Sequence, residues 1–286
     1  MKPLITRKES TRYPGLFVKK YTKRVFFDNL WDQDPNLVES RGHVELADGT
    51  VVIQPFTKIF NRFENGMDID RDEDCICVQK INGFMAAVTW VNEVNAAVVS
   101  TTGSLDSEYV SIAEKHLKDV KKYVEDLKWS ITYLFEIVDA SDPHIIPQKE
   151  GAYLIGMRNV QTNTPYFSNE INEECLDTLA EKYMNVLRPH WFECNFSTVV
   201  GLAKRYEGEG FVVYGQESRK VLKLKSPYYL TLKAAARRKD IYSLNKQNVD
   251  EEFYPLIEHL TSLGDTFTMM EEQDRLKYMR NWLEVN

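Results

Sequence analysis

The chain has 286 residues, of which 43% are hydrophobic, so it can bury a sizeable core in one large domain or in a large domain with a small appendage. It has no apolar run of about 18 residues, and its basic N-terminus lacks the apolar core of a signal peptide, so we expect a soluble intracellular protein with no membrane partner. The four cysteines have neither zinc-site spacing nor the pattern of a disulfide framework, which predicts buried free thiols.

The net charge of −7 argues against indiscriminate nucleic-acid binding, but the charges are segregated along the chain. Residues 1–26 carry eight Lys or Arg side chains against one acid, and residues 218–239 carry eight more and no acid. The remaining positions hold 20 basic and 42 acidic residues. Two basic segments in an acidic chain favour a polyanion bound at one defined groove, where counterions are released. A solvated charged surface is the alternative, and it is weaker for residues 218–239 because lysines alternate there with apolar residues.

Taken in chain order, the hydrophobic patterns predict short strands interrupted by helices. Apolar residues at steps of three and four predict one amphipathic helix over residues 107–129. Further helices are expected over residues 172–187, after Ser197, and through most of the chain beyond Lys233. Alternation and short apolar runs predict strands over residues 41–46, 50–54, 75–79, 85–89, 95–101, 131–138, 152–157, 210–214 and 221–225. This order predicts an α+β fold of mainly antiparallel sheets with flanking helices.

Lys80 lies between two of these strands, in the sequence Lys80-Ile81-Asn82-Gly83-Phe84. The pattern predicts a hairpin, with Lys80 at the end of the first strand and Gly83 in a tight turn. A lysine at a strand edge, beside a glycine that lets a ligand approach the backbone, can act as a nitrogen nucleophile. A surface lysine before a turn is the alternative, and Lys-x-x-Gly alone does not exclude it.

Other charged residues also fall on predicted strands. Glu136 interrupts an apolar strand, and Glu209 immediately precedes another. Lys223 and Lys225 are two residues apart, so both side chains are expected on one face of a sheet. Charges on strand faces are costly to bury without partners. Each one alone fits an exposed sheet position, but together with Lys80 they favour a functional site.

Seven short elements follow one another in a characteristic order. They are Arg41-Gly42, Pro55-Phe56-Thr57-Lys58-Ile59-Phe60-Asn61, Lys80-Ile81-Asn82-Gly83, Phe135-Glu136, Leu154-Ile155-Gly156-Met157-Arg158-Asn159, Glu209-Gly210-Phe211-Val212 and Lys223-Leu224-Lys225. In this order the chain resembles the covalent nucleotidyltransferase superfamily and, within it, the phage-type RNA ligase 1 family, the tRNA-repair ligases of T-even phages. The resemblance covers roughly residues 41–233, and its Pro-Phe-x-Lys-x-Phe-Asn element favours this family over the DNA ligases.

The resemblance implies an ATP-dependent RNA ligase that uses Mg²⁺ or Mn²⁺. Lys80 would attack the α-phosphate of ATP, form lysyl-AMP and release pyrophosphate. The AMP would then pass to an RNA 5′-phosphate, and a 3′-hydroxyl would displace it to seal the strand. The RNA partner would carry these two ends, as a cleaved tRNA does. The resemblance favours a phage or viral monomer acting in the cytoplasm, which for a virus is the host cytoplasm.

The resemblance also assigns roles to the cationic residues. Lys223 and Lys225 would neutralise the α-phosphate during the reaction, and Lys58 and Arg41 would bind the outgoing phosphates. A lysine has an ordinary pKa of about 10.4, so the site must lower that value for Lys80 to act as a nucleophile. Magnesium and the two nearby lysines would do so.

The remaining implied contacts involve carboxylates and one glycine. Glu136 would hold the ribose hydroxyls or hydrated magnesium, Glu209 would take part in metal binding and catalysis, and Gly83 would lie against the nucleotide. Carboxylates suit these roles because magnesium prefers oxygen ligands and keeps several waters. Three places depart from the family pattern: Asn82 replaces a common aspartate, Thr102 stands where the family has a lysine, and the loop after Glu136 has Asp142-Pro143-His144 in place of an Asn-Arg pair.

The C-terminal part distinguishes this chain from other relatives. DNA ligases and capping enzymes generally continue into an OB-fold, a five-stranded barrel. Here the 61 residues after Lys225 have helical patterns. We therefore expect a nucleotidyltransferase (ATP-grasp-like ligase) domain over residues 1–232 and a small helical region over residues 233–286. A capping-type guanylyltransferase that labels Lys80 with GMP, and a non-catalytic RNA-end-binding protein of the same fold, remain as alternatives.

Overall fold

A computed structural model describes residues 3–160, 173–244 and 249–285 of the chain. The strands are β1 Ile5–Glu9, β2 Phe17–Tyr21, β3 Arg41–Glu45, β4 Val51–Ile53, β5 Phe60–Asn61, β6 Asp74–Gln79, β7 Phe84–Val91, β8 Ala96–Thr101, β9 Ile131–Val138, β10 Gly151–Asn159, β11 Trp191–Asn195, β12 Gly210–Gly215 and β13 Val221–Lys225. The helices are α1 Lys23–Phe27, α2 Glu108–His116, α3 Lys118–Leu127, α4 Glu173–Leu179 with a π-helical continuation Ala180–Met184, α5 Phe196–Lys204, α6 Pro227–Ala236, α7 Tyr254–Leu263, α8 Asp265–Thr268 and α9 Glu272–Val285. None of the helices in these ranges is both long enough and apolar enough to span a bilayer.

The chain forms two compact units, and each is built from several separate stretches of sequence. Unit 1 comprises Met1–Ile59, Gly83–Ala140 and Lys149–Pro189, and unit 2 comprises Phe60–Asn82, Ser141–Gln148 and His190–Asn286. The predicted functional division between residues 1–232 and 233–286 stays a proposal. Its boundary falls within α6.

Unit 1 contains two antiparallel four-stranded sheets, with strand orders β1-β2-β3-β4 and β10-β9-β7-β8. Successive residues of β7 face opposite sides of the second sheet. Ala86 and Val88 belong to the apolar cluster that includes α2, α3 and α4. Ala87 and Val91 belong to the cluster that includes Val18 and other residues of the first sheet. The second sheet is therefore buried on both faces.

The helix predicted over residues 107–129 is two helices, and that prediction was wrong in this respect. The chain leaves helical geometry at Leu117, where φ is −110° and ψ is 19°, between α2 and α3. Leu117 is fully buried in the same apolar cluster as Val110 and Val120. Because both helices contact one cluster, their apolar periodicity continues across the break, and the sequence pattern does not reveal it.

Unit 2 contains a five-stranded sheet with the order β11-β6-β12-β13-β5 and a group of C-terminal helices. Its strand pairs are antiparallel except for the short pair of β13 with β5. Helix α5 covers one face of the sheet through Phe196, Val199 and Ala203. Helices α6 to α9 enclose a second apolar cluster. The predicted α+β fold of antiparallel sheets with a helical C-terminal end is confirmed.

The predicted hairpin at Lys80 was wrong, because β6 and β7 belong to different sheets. Strand β6 pairs with β11 and β12 in unit 2, whereas β7 pairs with β8 and β9 in unit 1. Gly83 has another role than turn formation. A Cβ at this position would lie 2.1 Å from the carbonyl oxygen of Ile137 in β9, so only glycine permits this strand contact.

The four cysteines are free thiols, as predicted, but only Cys75 and Cys77 are buried, and Cys175 is exposed. Burial raises the pKa of Cys75 to about 12 and also raises that of Cys77. Since the thiolate is the reactive form, these two side chains are inert members of the unit 2 core.

Candidate active site

Lys80 and Glu209 form a partly buried ion pair in unit 2. The Nζ of Lys80 donates a hydrogen bond to Oε2 of Glu209 at 3.0 Å. The Lys80 side chain is 20% exposed and that of Glu209 is 4% exposed. The pair is supported by the backbone, since the Lys80 N–H donates to the Gly210 carbonyl at 2.9 Å and so extends the pairing of β6 with β12. Glu209 therefore fixes the position of the Lys80 ammonium at the end of its strand.

Asn82 is the third member of this network. Its Nδ2 donates to the same Glu209 oxygen at 2.8 Å, and its Oδ1 accepts from the Ile146 N–H at 2.9 Å. An aspartate in this place could not donate to Glu209 and would repel it. The asparagine is thus suited to a position beside a buried carboxylate.

The segment that carries Glu209 is held against the start of α6. Gly210 has a φ of +130°, and a Cβ there would lie 2.0 Å from the Leu224 carbonyl oxygen, so glycine is required. The Ser226 N–H donates to the Glu209 carbonyl at 3.0 Å, and its hydroxyl donates to the Gly208 carbonyl at 2.6 Å. The same hydroxyl caps α6 by accepting from the Tyr229 N–H at 3.0 Å.

Lys223 and Lys225 lie on one face of the unit 2 sheet. In the register of β12 with β13, Val212 lies opposite Lys223 and Gly210 lies opposite Lys225. On the other side of β12, the Lys80 N–H donates a hydrogen bond to the Gly210 carbonyl. Gly210 therefore lies between Lys80 and Lys225 on neighbouring strands. Burial lowers the pKa of Lys225, the ammonium groups of Lys233 and Lys80 lower it further, and Glu209 and Glu64 oppose the shift.

Lys233 is a member of this cluster that sequence reasoning missed. It lies one turn after Tyr229 on α6, and its Nζ is 5.4 Å from the centre of the Tyr229 ring. The Nζ of Lys225 is 5.6 Å from the same ring. Burial lowers the pKa of Lys233, and the charges of Arg237 and Lys80 add to the effect. The sequence signal for this contact is Ser-Pro at 226–227, which predicts the start of a helix. Residues 229 and 233 are four apart in that helix and therefore lie on one face of it.

In unit 1, Glu136 and Gly83 are in direct contact. The Gly83 N–H donates to Oε1 of Glu136 at 3.2 Å. Glu136 is half-buried in the inner strand β9, opposite Met85 of β7 and Tyr153 of β10. Both residues were predicted to contact the nucleotide, and the structure brings these two together.

Lys58 and Arg41 are the other predicted site residues of unit 1. Lys58 is buried, and its Nζ lies 5.0 Å from the ring centre of Trp31 and 5.9 Å from that of Phe26. Arg41 begins β3 and is half-buried. A Cβ at the neighbouring Gly42 would lie 2.8 Å from the Cα of Thr102, so β3 runs close to the turn that contains Thr102.

The predicted site residues are thus divided between the two units. Those of unit 2 are Lys80, Glu209, Lys223 and Lys225, and those of unit 1 are Arg41, Lys58, Gly83 and Glu136. Within residues 3–160, 173–244 and 249–285, no group of three or more His, Cys, Asp or Glu side chains is arranged to hold a metal ion. A hydrated magnesium ion needs no such group, because it is commonly held by one or two carboxylates, waters and substrate phosphates.

Two cavities of the protein are lined by other residues. A cavity of about 470 Å³ in unit 2 lies on the α5 side of the sheet, next to the hydrogen bond from Gln79 to Tyr206. A cavity of about 440 Å³ in unit 1 lies between Thr50 and Val160. Neither is lined by a predicted site residue. The candidate site is therefore defined by its charged side chains and not by either of these cavities.

Comparison with known proteins reveals the fold through solved structures alone. No family model matches the chain, and no curated protein matches it. The structure of an archaeal ATP-dependent RNA ligase aligns with 98% of this chain and 72% of its own length, at 14% identity and a TM-score of 0.57. This chain has the RNA ligase nucleotidyltransferase fold. The fold expected from the resemblance is confirmed, while membership of the phage-type family stays a prediction.

Structures of an RNA ligase from Naegleria gruberi are also similar. One is of a mutant with ATP and Mn and another is with pyrophosphate, at 13% and 14% identity and a TM-score of 0.45 for both. Each alignment covers 56% of this chain and 52% of the Naegleria chain. The chain thus spans about half the length of these ligases.

Proposed function

We propose that this protein is an ATP-dependent RNA ligase that forms a covalent lysyl-AMP at Lys80. The observation that carries the proposal is the partly buried ion pair of Lys80 with Glu209, whose Nζ to Oε2 distance is 3.0 Å. Lysines are mostly exposed in proteins, whereas this one is largely buried and is held at a strand end beside Lys225 and Lys233. The nucleotidyltransferase fold supports the same chemistry.

The first step transfers AMP to the protein. The uncharged Nζ of Lys80 attacks the α-phosphorus of ATP, a P–N bond forms as the nitrogen releases a proton to solvent, and the P–O bond to pyrophosphate breaks. Glu209 orients the nitrogen through its hydrogen bond to Nζ. Lys223 and Lys225 offset the negative charge that develops on the phosphate oxygens, and they do so in a partly desolvated site where such interactions are stronger than in water.

The later steps use RNA ends. An oxygen of the RNA 5′-phosphate attacks the phosphorus of lysyl-AMP, and the P–N bond breaks to free Lys80. A 3′-hydroxyl then attacks that 5′-phosphate, and AMP leaves. We propose an RNA with these ends as the substrate, with cleaved tRNA as one candidate, and a monomeric cytoplasmic protein. Equal joining of cleaved tRNA and of a random single-stranded oligonucleotide would count against specificity for tRNA.

In unit 1, the proposed nucleotide contacts are those of Glu136, Gly83, Lys58 and Arg41. Glu136 accepts from the Gly83 N–H, so its carboxylate is fixed for a contact to ribose hydroxyls or to hydrated magnesium. Lys58, held near Trp31 and Phe26, and Arg41 would bind the outgoing phosphates. Glu209 of unit 2 and Glu136 of unit 1 are each proposed as a ligand of magnesium, directly or through water, and the bound metal would supply screening of the phosphate charge.

The test is covalent labelling of the protein. Incubation with magnesium and α-labelled ATP should give a labelled band that survives denaturing electrophoresis, whereas mild acid should release the label because the bond is P–N. Lys80→Ala should abolish the label, while the exposed Lys239→Ala should retain it. Glu209→Ala and Lys223→Ala should impair labelling or sealing.

Each alternative function has its own outcome in this experiment. Labelling from GTP in place of ATP would indicate a capping-type guanylyltransferase. The absence of a labelled band with either nucleotide would overturn the proposed ligase and favour a non-catalytic RNA-end-binding protein.

A further inference from the structure

Two lysines share one aromatic ring in unit 2. The Nζ atoms of Lys225 and Lys233 lie 5.6 Å and 5.4 Å from the ring centre of Tyr229, which is itself 5% exposed. Ser226 caps α6 through the Tyr229 N–H, so the ring is fixed immediately after β13 ends. The two ammonium groups are thus positioned by the junction of a strand and a helix, both of which are regular elements.

The positive charge around this ring is only partly offset by protein carboxylates. In the described part of the chain, neither Lys225 nor Lys233 forms an ion pair with a carboxylate. The charged groups that act on them are Lys80, Arg237, Glu209 and Glu64. Oε2 of Glu209 already accepts from Lys80 and Asn82, and Arg237 is paired with Glu272 at 3.1 Å.

Partial burial of like charges is unfavourable, and the aromatic ring compensates only in part. A cation near a tyrosine face gains less than an ionic partner can supply in a desolvated site. The ring is also a rigid surface that keeps the two cations near each other. An arrangement of this kind is completed by an anion with several acceptor oxygens, because each ammonium has three donors.

We propose that Lys225 and Lys233 form a phosphate-binding site over Tyr229, in which Lys233 contacts a phosphate group of ATP or the 5′-phosphate of RNA. The inference rests on the proposed function, since it places this phosphate next to the Lys80 nucleophile. Lys233 has no part in the sequence elements that carry the resemblance. It adds a cation that neither β13 nor the Lys80 segment supplies.

The experiment compares Lys233→Gln with Lys239→Gln, which removes the same charge from the same basic segment at an exposed position. In the first arm, the rate of labelling is measured as a function of ATP concentration. In the second arm, sealing of RNA that already carries the 5′-adenylate is measured without ATP. A loss of about tenfold in either arm for Lys233→Gln, against less than about twofold for Lys239→Gln, is expected for a lost charge-assisted hydrogen bond. Lys233→Arg should recover part of the loss, because it restores the charge.

The two arms distinguish the source of the phosphate. A raised KM for ATP assigns it to ATP, and slower sealing of adenylated RNA assigns it to the RNA end. Wild-type rates in both arms for Lys233→Gln would overturn the inference while leaving the ligase proposal intact.

The opposite failure is also distinguishable. If the wild-type protein forms no labelled band, the ligase proposal fails, and binding of inorganic pyrophosphate measured by calorimetry then decides the site. Weaker pyrophosphate binding by Lys233→Gln than by Lys239→Gln supports it. Equal affinities, or no binding by the wild type, would refute it.

Discussion

The two faces of the five-stranded sheet in unit 2 have opposite chemistry, although the same strands supply both. Leu222 and Leu224 of β13 lie in the apolar cluster covered by α5, whereas Lys223 and Lys225 alternate with them on the other face. The α5 face is therefore expected to determine stability. The lysine face is expected to determine phosphate chemistry, and substitutions on one strand can separate the two properties.

Gly210→Ala should have the largest effect, because it disturbs both faces together. Its φ of +130° and the 2.0 Å approach of a Cβ to the Leu224 carbonyl oxygen would force β12 away from β13. We expect the free energy of unfolding in urea to fall by at least about 2 kcal/mol, and Lys80 labelling to fall with it.

Gly201→Ala in α5 is the matched control for that change. A Cβ there meets no atom within 4 Å, so alanine should be neutral or should stabilise the helix by up to about 1 kcal/mol. Equal stability of the two variants would contradict the steric argument for Gly210.

Leu222→Ala and Lys223→Ala test the separation of the faces at adjacent positions. Leu222 is fully buried, so its truncation should lower the free energy of unfolding by about 2–5 kcal/mol, with labelling per folded molecule retained at low temperature. Lys223→Ala should change stability by less than about 1 kcal/mol and reduce labelling. Loss of labelling in folded Leu222→Ala, or full labelling in Lys223→Ala, would show that the faces are not functionally distinct.

This separation of faces is the part that sequence alone predicts well. The alternation in Val221–Lys225 has a period of two and requires no distant partner, and the structure has the strand with these bounds. The prediction of a hairpin at Lys80 failed because the structure there depends on a residue that is distant in sequence. The need for Gly83 arises from Ile137, which is far away in sequence, and a glycine between two strands has the same local appearance in either case.

The residues of the candidate site also differ in whether the local sequence predicts them or whether only the fold brings them together. The proposed nucleophile Lys80, Glu209 and the two β13 lysines were predicted from ordered sequence elements. Lys233 was missed because its proximity to Lys225 depends on where α6 begins relative to the end of β13. The contact of Asn82 with Glu209 was also beyond the sequence, since it joins residues 127 positions apart.

The smallest expected effect is on the pH dependence of the free energy of unfolding, which is lowered by the charge of Lys225 on the lysine face. Its pKa is lowered in the folded protein, from an ordinary value of 10.5, so the unfolded chain binds more protons between the folded and unfolded values. Stability must then rise with pH across that window, and below it the wild type carries the full penalty of the buried charge. Lys225→Met removes the charge and should raise the free energy of unfolding at pH 7. This advantage should shrink as the pH rises towards 10.5, as measured by urea unfolding at several pH values. The exposed Lys239→Met should show no such trend. If the stability gain of Lys225→Met did not change with pH, the loss of stability caused by Lys225 would come from packing and not from burial of its charge.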